Sequence, residues 1–133
     1  MRANPWLDRA VLKGTLVAES LRSGAVFEVP GVLVTRVVRR DASGSATSSQ
    51  PSVWTFLELE AADEVADRLA DALAGALLAE GGWYANFTVG DEHIVVFAGR
   101  VFRHERGDRS RRSEAEAYAR KVGVPAHQMD WGE

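Results

Sequence analysis

The three histidines are the residues best suited to metal binding or proton transfer, yet their spacing supports neither role. His93, His104 and His127 lie far apart in the chain, whereas a metal site on one helix needs two ligands about one turn apart, near carboxylates. The chain contains no cysteine, so disulfides, thiolate nucleophiles and sulfur-ligated metals are excluded. We therefore expect no metal site and no bound cofactor.

Motifs for nucleophilic catalysis and for phosphate binding are also missing. No serine is flanked by glycines as in a strand-to-helix nucleophile elbow, and most serines cluster within residues 41–52. Gly81 and Gly82 follow a predicted helix, whereas the glycines of a phosphate-binding loop precede one. A catalytic site is not expected, although a small enzyme remains among the alternatives.

A basic stretch over residues 100–112 is the one charged segment with binding potential. Its six arginines, interrupted by two acidic residues, suit a phosphate, a carboxylate ligand or RNA. The chain as a whole carries a formal net charge of −3, and only Phe102 offers a base-stacking ring in this stretch. Nucleic-acid binding is therefore disfavoured. The candidate polar ligand contacts are Arg100, Arg103 and His104.

Aromatic residues give the second candidate surface. Strand alternation places Trp54 and Phe56 on one sheet face, where Tyr84 and either Val95 or Phe97 join them. An apolar patch of this size needs a cover, which a second subunit, an N-terminal helix or a ligand would supply. The candidate interface residues are Trp54, Phe56, Tyr84 and Phe97.

The overall composition indicates one globular domain spanning residues 1–133. Hydrophobic residues make up 46% and charged residues 26% of the chain, as in ordinary globular proteins. No stretch approaches the roughly 20 apolar residues needed to span a bilayer, and no signal segment opens the chain. We expect a cytoplasmic protein without membrane contact. Because arginine outnumbers lysine fourteen to two, a GC-rich bacterial genome is the expected source.

The first half of the chain is predicted to hold a helical segment and two strands. Apolar spacing over residues 1–23 favours a broken N-terminal helix, and β-branched residues over 32–40 favour a strand. The serine-rich residues 41–52 have no large apolar side chain, so we expect a mobile loop. Residues 53–60 resume the strand pattern.

The second half is predicted to hold two helices around a β-hairpin. A leucine repeat of four residues predicts a helix from Asp63 to Gly81, and Ser113 with Glu116 forms a capping box for the last helix. Between them, residues 83–89 and 92–103 alternate as a hairpin about a Gly-Asp turn. The tail is expected to fold back over the core.

These elements predict an α+β two-layer sandwich. Its sheet would have about four mainly antiparallel strands with the helices on one face, in a partly ferredoxin-like β-α-β-β-α order, plus the N-terminal helix. Such a fold assigns no function. The leading hypothesis is a non-catalytic interaction module that forms a homodimer through its sheet face. The alternatives are a small-molecule carrier or small enzyme, with a pocket near the sheet and loop 41–52, and an RNA-associated protein.

Overall fold

A six-stranded antiparallel sheet frames the protein in a computed structural model that describes residues 11–129. The strands are β1 (Val11–Val17), β2 (Leu33–Asp41), β3 (Val53–Ala62), β4 (Ala85–Val89), β5 (Glu92–Phe97) and β6 (Arg100–Glu105). Their order in the sheet is β2-β3-β1-β4-β5-β6, and all neighbouring strands are antiparallel. β1 therefore lies inside the sheet, between β3 and β4.

Within residues 11–129, the two α-helices cover opposite faces of this sheet. Helix α1 (Ala66–Ala76) packs in a cluster with Ile94 and Val96 of β5, whereas helix α2 (Arg109–Lys121) packs with Val95 and Phe97. Successive residues of a strand point to opposite faces, so each helix occupies its own face. We call these the α1 face and the α2 face. Short 3-10 turns at Ala18–Ser20, Asp63–Val65 and Ala126–Gln128 complete the chain.

The main hydrophobic core lies between the sheet and α1. The leucine repeat of the helix, with Leu69 and Leu73 at its centre, packs against Leu12, Leu16 and Phe87 of the inner strands. Burying each side chain of this size contributes about 1.5–3 kcal/mol of transfer free energy. The amphipathic pattern of the helix is therefore confirmed, and it fixes which residues of β1 and β4 point away from α1.

The predicted fold class is wrong. The sheet has six antiparallel strands instead of about four, the helices lie on both faces, and the strand order is not ferredoxin-like. Two errors account for the difference. A strand replaces the described part of the predicted N-terminal helix, and the predicted strand over residues 92–103 is two strands joined by a tight turn.

Gly14 explains why the start of the chain forms a strand. Leu12, Gly14 and Leu16 alternate on the α1 face, and Gly14 lies directly opposite Phe87 of β4. A Cβ atom at position 14 would lie 2.5 Å from the Phe87 Cβ, so only glycine allows the two strands to approach this closely. Gly14 would weaken a helix at this position, whereas the sheet requires a glycine there.

A turn at Gly99 divides the second predicted hairpin strand. Gly99 has a positive φ of 71°, which places it in the left-handed region, and β6 pairs back onto β5 immediately after it. The apolar centre of β5 is buried on both faces, as expected for an inner strand, because β6 supplies its outer neighbour.

Both helix boundaries also differ from the predicted ones. α1 ends at Ala76, five residues before the predicted glycine stop, and Leu77 turns into an extended conformation. α2 begins at Arg109, capped by Asp108, whose carboxylate accepts a hydrogen bond from the Arg111 backbone N–H at 3.2 Å. The predicted capping box at Ser113 therefore lies inside the helix.

Residues at both ends of the chain lie outside the described part. The beginning of the predicted N-terminal helix, over residues 1–10, and Trp131 of the tail belong to these segments. Within residues 11–129, no helix is long and apolar enough to cross a membrane. The cytoplasmic location and the bacterial source stay predictions, as does the single-domain assignment over residues 1–133.

Candidate functional site

A cavity of about 350 Å³ lies on the α2 face, where the sheet meets the segment between β2 and β3. β1, β3 and β4 form its floor, and residues 42–50 with the last 3-10 turn lie over it. Its lining residues are Thr15, Val17, Ser45, Trp54, Phe56, Gly82, Trp83, Tyr84, Asn86 and Gln128. None of them carries a charge, and the volume is at the lower end of the range of small-molecule sites.

Four aromatic rings give the cavity its apolar wall. The Trp54 ring centroid lies 5.2 Å from that of Trp83 and 6.0 Å from that of Phe56, with tilted planes in both pairs. Both indoles are buried, and the Trp54 Nε1–H donates to the Pro51 carbonyl at 2.8 Å. Because their polar atoms and orientations are fixed in this way, the rings offer a preformed surface to a planar compound.

Two buried glutamines hold the upper side of the cavity in place. The Gln128 Nε2 group donates to the Ser45 carbonyl at 2.6 Å and to Gln50 Oε1 at 3.0 Å. Gln50 in turn donates to the Gly81 carbonyl at 2.8 Å. Tyr84 donates its hydroxyl to the Gln128 carbonyl. We call this set of hydrogen bonds the glutamine clamp, because it joins three separate parts of the chain above the sheet.

A close contact between two glycines brings the end of α2 to the same place. Gly82 has a positive φ of 70°, and a Cβ atom there would lie 2.7 Å from the Gly123 carbonyl oxygen. Only glycine accepts both the conformation and the contact. The turn before β4 therefore lies against the end of α2, which places Gln128 over the cavity.

Thr15 and Asn86 form the polar part of the floor. They are directly opposite each other in the register of β1 and β4, and both line the cavity. Within residues 11–129, neither side chain hydrogen-bonds to another protein group, whereas Tyr84 and Gln128 are already engaged in the clamp. The Thr15 hydroxyl and the Asn86 carboxamide are thus the polar groups of the floor that remain available to a ligand.

A second hollow of about 280 Å³ continues from this polar pair along the sheet. Thr15 and Asn86 line both spaces. Beyond them lie Lys13 and Glu60, whose charged atoms are 3.6 Å apart, and Glu58, which pairs with Arg36 of β2 at 3.2 Å. The α2 face therefore changes from aromatic to polar to charged along its length, and the polar pair stands at the boundary.

Three of the four candidate interface residues line the cavity, and the fourth, Phe97, contacts Tyr84 with ring centroids 6.0 Å apart. Trp54, Phe56 and Tyr84 line the cavity, whereas Phe97 lies beneath α2 with its ring centroid 5.0 Å from that of Tyr118. Trp54 and Phe97 are buried within the chain, so they are not available to a partner on the surface as it stands. Their role in a homodimer interface stays a prediction.

Arg100 and Arg103, the two candidate polar contacts from the basic stretch, lie away from the cavity. The Arg100 guanidinium stacks 5.0 Å from the Phe102 ring centroid. Arg103 binds Asp67 of α1 at 2.5 Å and Glu92 of β5 at 2.7 Å. These hydrogen bonds, first to Glu92 and then to Asp67, raise the pKa of Arg103 above its ordinary value. Both guanidinium groups therefore have partners within the protein.

His104, the third candidate contact, is buried in the sheet. It lies opposite His93 in the register of β5 and β6, and the two rings stack with centroids 5.3 Å apart. Among the described residues, neither ring nitrogen of His104 has a hydrogen-bond partner. Burial lowers the pKa of His104 below its ordinary value, and the charges of His93 and Arg112 lower it further. The neutral imidazole is therefore the form that the fold favours.

Sequence reasoning missed several cavity residues, among them Thr15, Trp83, Asn86 and Gln128. Thr15 fell within the predicted helix, and Trp83 was assigned to the opposite sheet face. Asn86 shows a weak signal in the sequence, because it is the amide on a strand face shared with Tyr84. Gln128 has no periodic signal at all, since it acts through hydrogen bonds to distant residues.

Neither a metal site nor similarity to a known protein indicates what this cavity binds. Within residues 11–129, no group of three or more histidine or acidic side chains is arranged to hold a metal ion. A comparison of the chain with models of known families, with curated proteins and with solved structures gives no match. The cavity is therefore the feature of the molecule that indicates its function.

Proposed function

We propose that the protein is a non-catalytic small-molecule-binding module whose ligand occupies the aromatic cavity on the α2 face. The observation that carries the proposal is a preformed space of about 350 Å³ with four aromatic rings and no charged lining residue. Apolar burial supplies affinity in such sites, and a few placed polar groups supply orientation. Thr15 and Asn86 are groups of that kind here.

The position of residues 42–50 supports the same proposal. This segment contributes Ser45 to the cavity, and the glutamine clamp fixes it over the sheet. Ala42 and Gln50 are buried. These two residues therefore anchor a stretch whose serine-rich composition predicts no buried side chain. The mobility of residues 41–52 stays a prediction. A ligand that enters from this side requires only the surface segment to move, and the sheet can remain intact.

Native mass spectrometry of the purified protein is the first test. A discrete extra mass retained by the chain supports the proposal and identifies the ligand by its mass. The same spectrum reports the number of subunits, so it also tests the predicted homodimer. A bare chain leads to the next experiment, which supplies ligands directly.

Ligand-observed NMR with naphthalene and indole tests the cavity itself, using one substitution at two places. Val17 lines the cavity, whereas Val37 of β2 lies 58% exposed at the edge of the sheet. Val17→Phe fills part of the space, and we expect it to abolish binding or weaken it at least about tenfold, since about 1.4 kcal/mol of lost contact suffices. Val37→Phe is the matched control and should bind normally. Equal binding by both variants, or no binding by the natural protein, contradicts the proposal.

A further inference from the structure

The polar pair on the cavity floor restricts the class of ligand. Thr15 and Asn86 stand side by side across two strands, and the carboxamide of asparagine presents a donor and an acceptor in one plane. A planar ligand against the aromatic wall covers these groups and removes their water. A covered polar group without a partner costs about 1–3 kcal/mol, so a ligand without polar atoms at this place is penalised.

Charge restricts the ligand further. The cavity lining carries no formal charge. In the neighbouring hollow Lys13 pairs with Glu60, and Glu58 pairs with Arg36. The Arg40 guanidinium stacks 5.3 Å from the ring centroid of Phe56. An ionic group inside the cavity would lose its hydration without a counterion, which is costly in an apolar space. A ligand body that enters the cavity must therefore be uncharged.

On the basis of the proposed function, we infer that the ligand is a planar, uncharged heteroaromatic compound with a hydrogen-bond donor and an acceptor adjacent on one edge. A lactam edge, in which a ring N–H stands beside a carbonyl, has this arrangement. It matches the carboxamide of Asn86 in two parallel hydrogen bonds, in the way that asparagine side chains pair with the adenine edge in DNA. The Thr15 hydroxyl, which both donates and accepts, lies beside this edge and tolerates either orientation of it.

Two bicyclic probes of similar shape test the inference. Quinolin-2(1H)-one carries the lactam edge, and naphthalene lacks it. We expect the natural protein to bind quinolin-2(1H)-one at least about tenfold more tightly than naphthalene, as two hydrogen bonds of ordinary net strength provide. Binding is measured by the quenching of tryptophan fluorescence, because Trp54 and Trp83 both line the cavity.

Substitutions on the floor then assign the preference to the polar pair. Asn86→Leu keeps a side chain of similar size, and we expect it to lower the affinity for quinolin-2(1H)-one about tenfold while naphthalene binding stays equal or improves. Thr15→Val is nearly isosteric with the natural residue and exposed to solvent, so it serves where Asn86→Leu fails to fold. Thr15→Val should reduce the preference for quinolin-2(1H)-one over naphthalene by a smaller factor than Asn86→Leu does. Thermal unfolding checks that each variant is folded.

The outcomes separate the inference from the proposed function. If both probes bind equally well and Asn86→Leu changes neither, the ligand class is wrong and the cavity remains a binding site. If neither probe binds the natural protein, the proposed function and the inference both fail. A tenfold preference that disappears in Asn86→Leu supports both.

Discussion

The His93–His104 stack makes the stability of the protein depend on pH. His104 is 3% exposed, and the His93 ring lies against its ring from β5. In the part of the chain that the structure describes, neither ring nitrogen of His104 has a hydrogen-bond partner. From α2 and its cap, the cation of Arg112 opposes protonation, whereas the carboxylates of Asp108 and Glu116 favour it. Burial, His93 and Arg112 prevail, and the pKa of His104 is lowered.

The sign of the effect follows from the two states of the chain. In the unfolded chain His104 takes up a proton near its ordinary pKa of about 6.5, whereas the folded chain resists the proton. The neutral ring thus supports the fold fully above this pH. Stability is lost as the pH falls below it, until the lowered pKa of the folded state is reached. The limiting loss is about 1.4 kcal/mol at pH 5.5, which corresponds to a fall of roughly 5 °C in melting temperature for a chain of this size.

Urea unfolding at pH 7.5, 6.5 and 5.5 measures this loss for the natural protein and for His104→Phe. The phenyl ring retains an aromatic partner for His93 and removes the titrating group. Every carboxylate contributes equally in both proteins, so the difference between their pH profiles isolates His104. We expect the natural protein to lose up to about 1.4 kcal/mol more than the variant between pH 7.5 and 5.5.

The exposed His127 provides the matched control. His127→Gln removes an exposed ring and keeps the His93–His104 stack, so we expect the variant to lose stability between pH 7.5 and 5.5 as the natural protein does. Parallel profiles for the natural protein and His104→Phe would refute the reasoning, because they would show that the buried ring titrates alike in both states. A flat profile for His127→Gln would refute it equally, by assigning the titration to the wrong histidine.

Two further predictions concern the elements that shape the cavity. Gly14→Ala should cost about 3 kcal/mol or more in urea unfolding, since its Cβ would lie 2.8 Å from the Asn86 carbonyl oxygen. Gly75→Ala in the last turn of α1, where an added Cβ meets no atom within 4 Å, is the control and should gain up to about 1 kcal/mol. A Gly14→Ala variant as stable as the natural protein would contradict the close approach of β1 to β4. Gln128→Leu should cost about 1–3 kcal/mol and speed hydrogen exchange around Gln50, because it removes two buried hydrogen bonds. Unchanged exchange would show that the glutamine clamp does not hold the segment over the cavity.

Local patterns predicted the elements that have a strong period of their own. The alternation of residues 53–60 placed Trp54 and Phe56 on one face and Leu57 and Leu59 on the other, as the register of β3 shows. The leucine repeat predicted α1, and Gly90 marked the turn between β4 and β5. These elements bury one regular stripe of side chains, so their own residues contain the needed information.

For β1, the local sequence does not contain enough information to predict the structure. Leu12 and Leu16 are four residues apart, which fits one face of a helix as well as alternate positions of a strand. The requirement for glycine at position 14 arises only when Phe87 lies against it, and Phe87 is far away in the sequence. Tertiary contact, and no local preference, decides the structure here.

Trp83 shows the same limit at the site. Continuing the alternation of β4 backward assigns it to the α1 face, together with Ala85 and Phe87. The strand begins only at Ala85, however, and Gly81 and Gly82 turn the chain just before it with φ values of 94° and 70°. The period of two therefore does not extend to position 83, and the indole turns toward Trp54 instead.

The role of Asn86 in the proposed function likewise depends on tertiary contacts and not on a local sequence pattern. On an open sheet face an asparagine is an ordinary hydrated residue, and the strand face that it shares with Tyr84 is only a weak sign of another role. Here Asn86 is half-buried and lines one cavity with Gln128, Ser45 and Trp83, which reach that place through contacts that have no sequence period. Because a covered carboxamide must find a partner, the recognition chemistry of the cavity is a product of its enclosure. Any change that opens the glutamine clamp should therefore reduce selectivity for a lactam edge before it reduces the affinity for a plain aromatic ring.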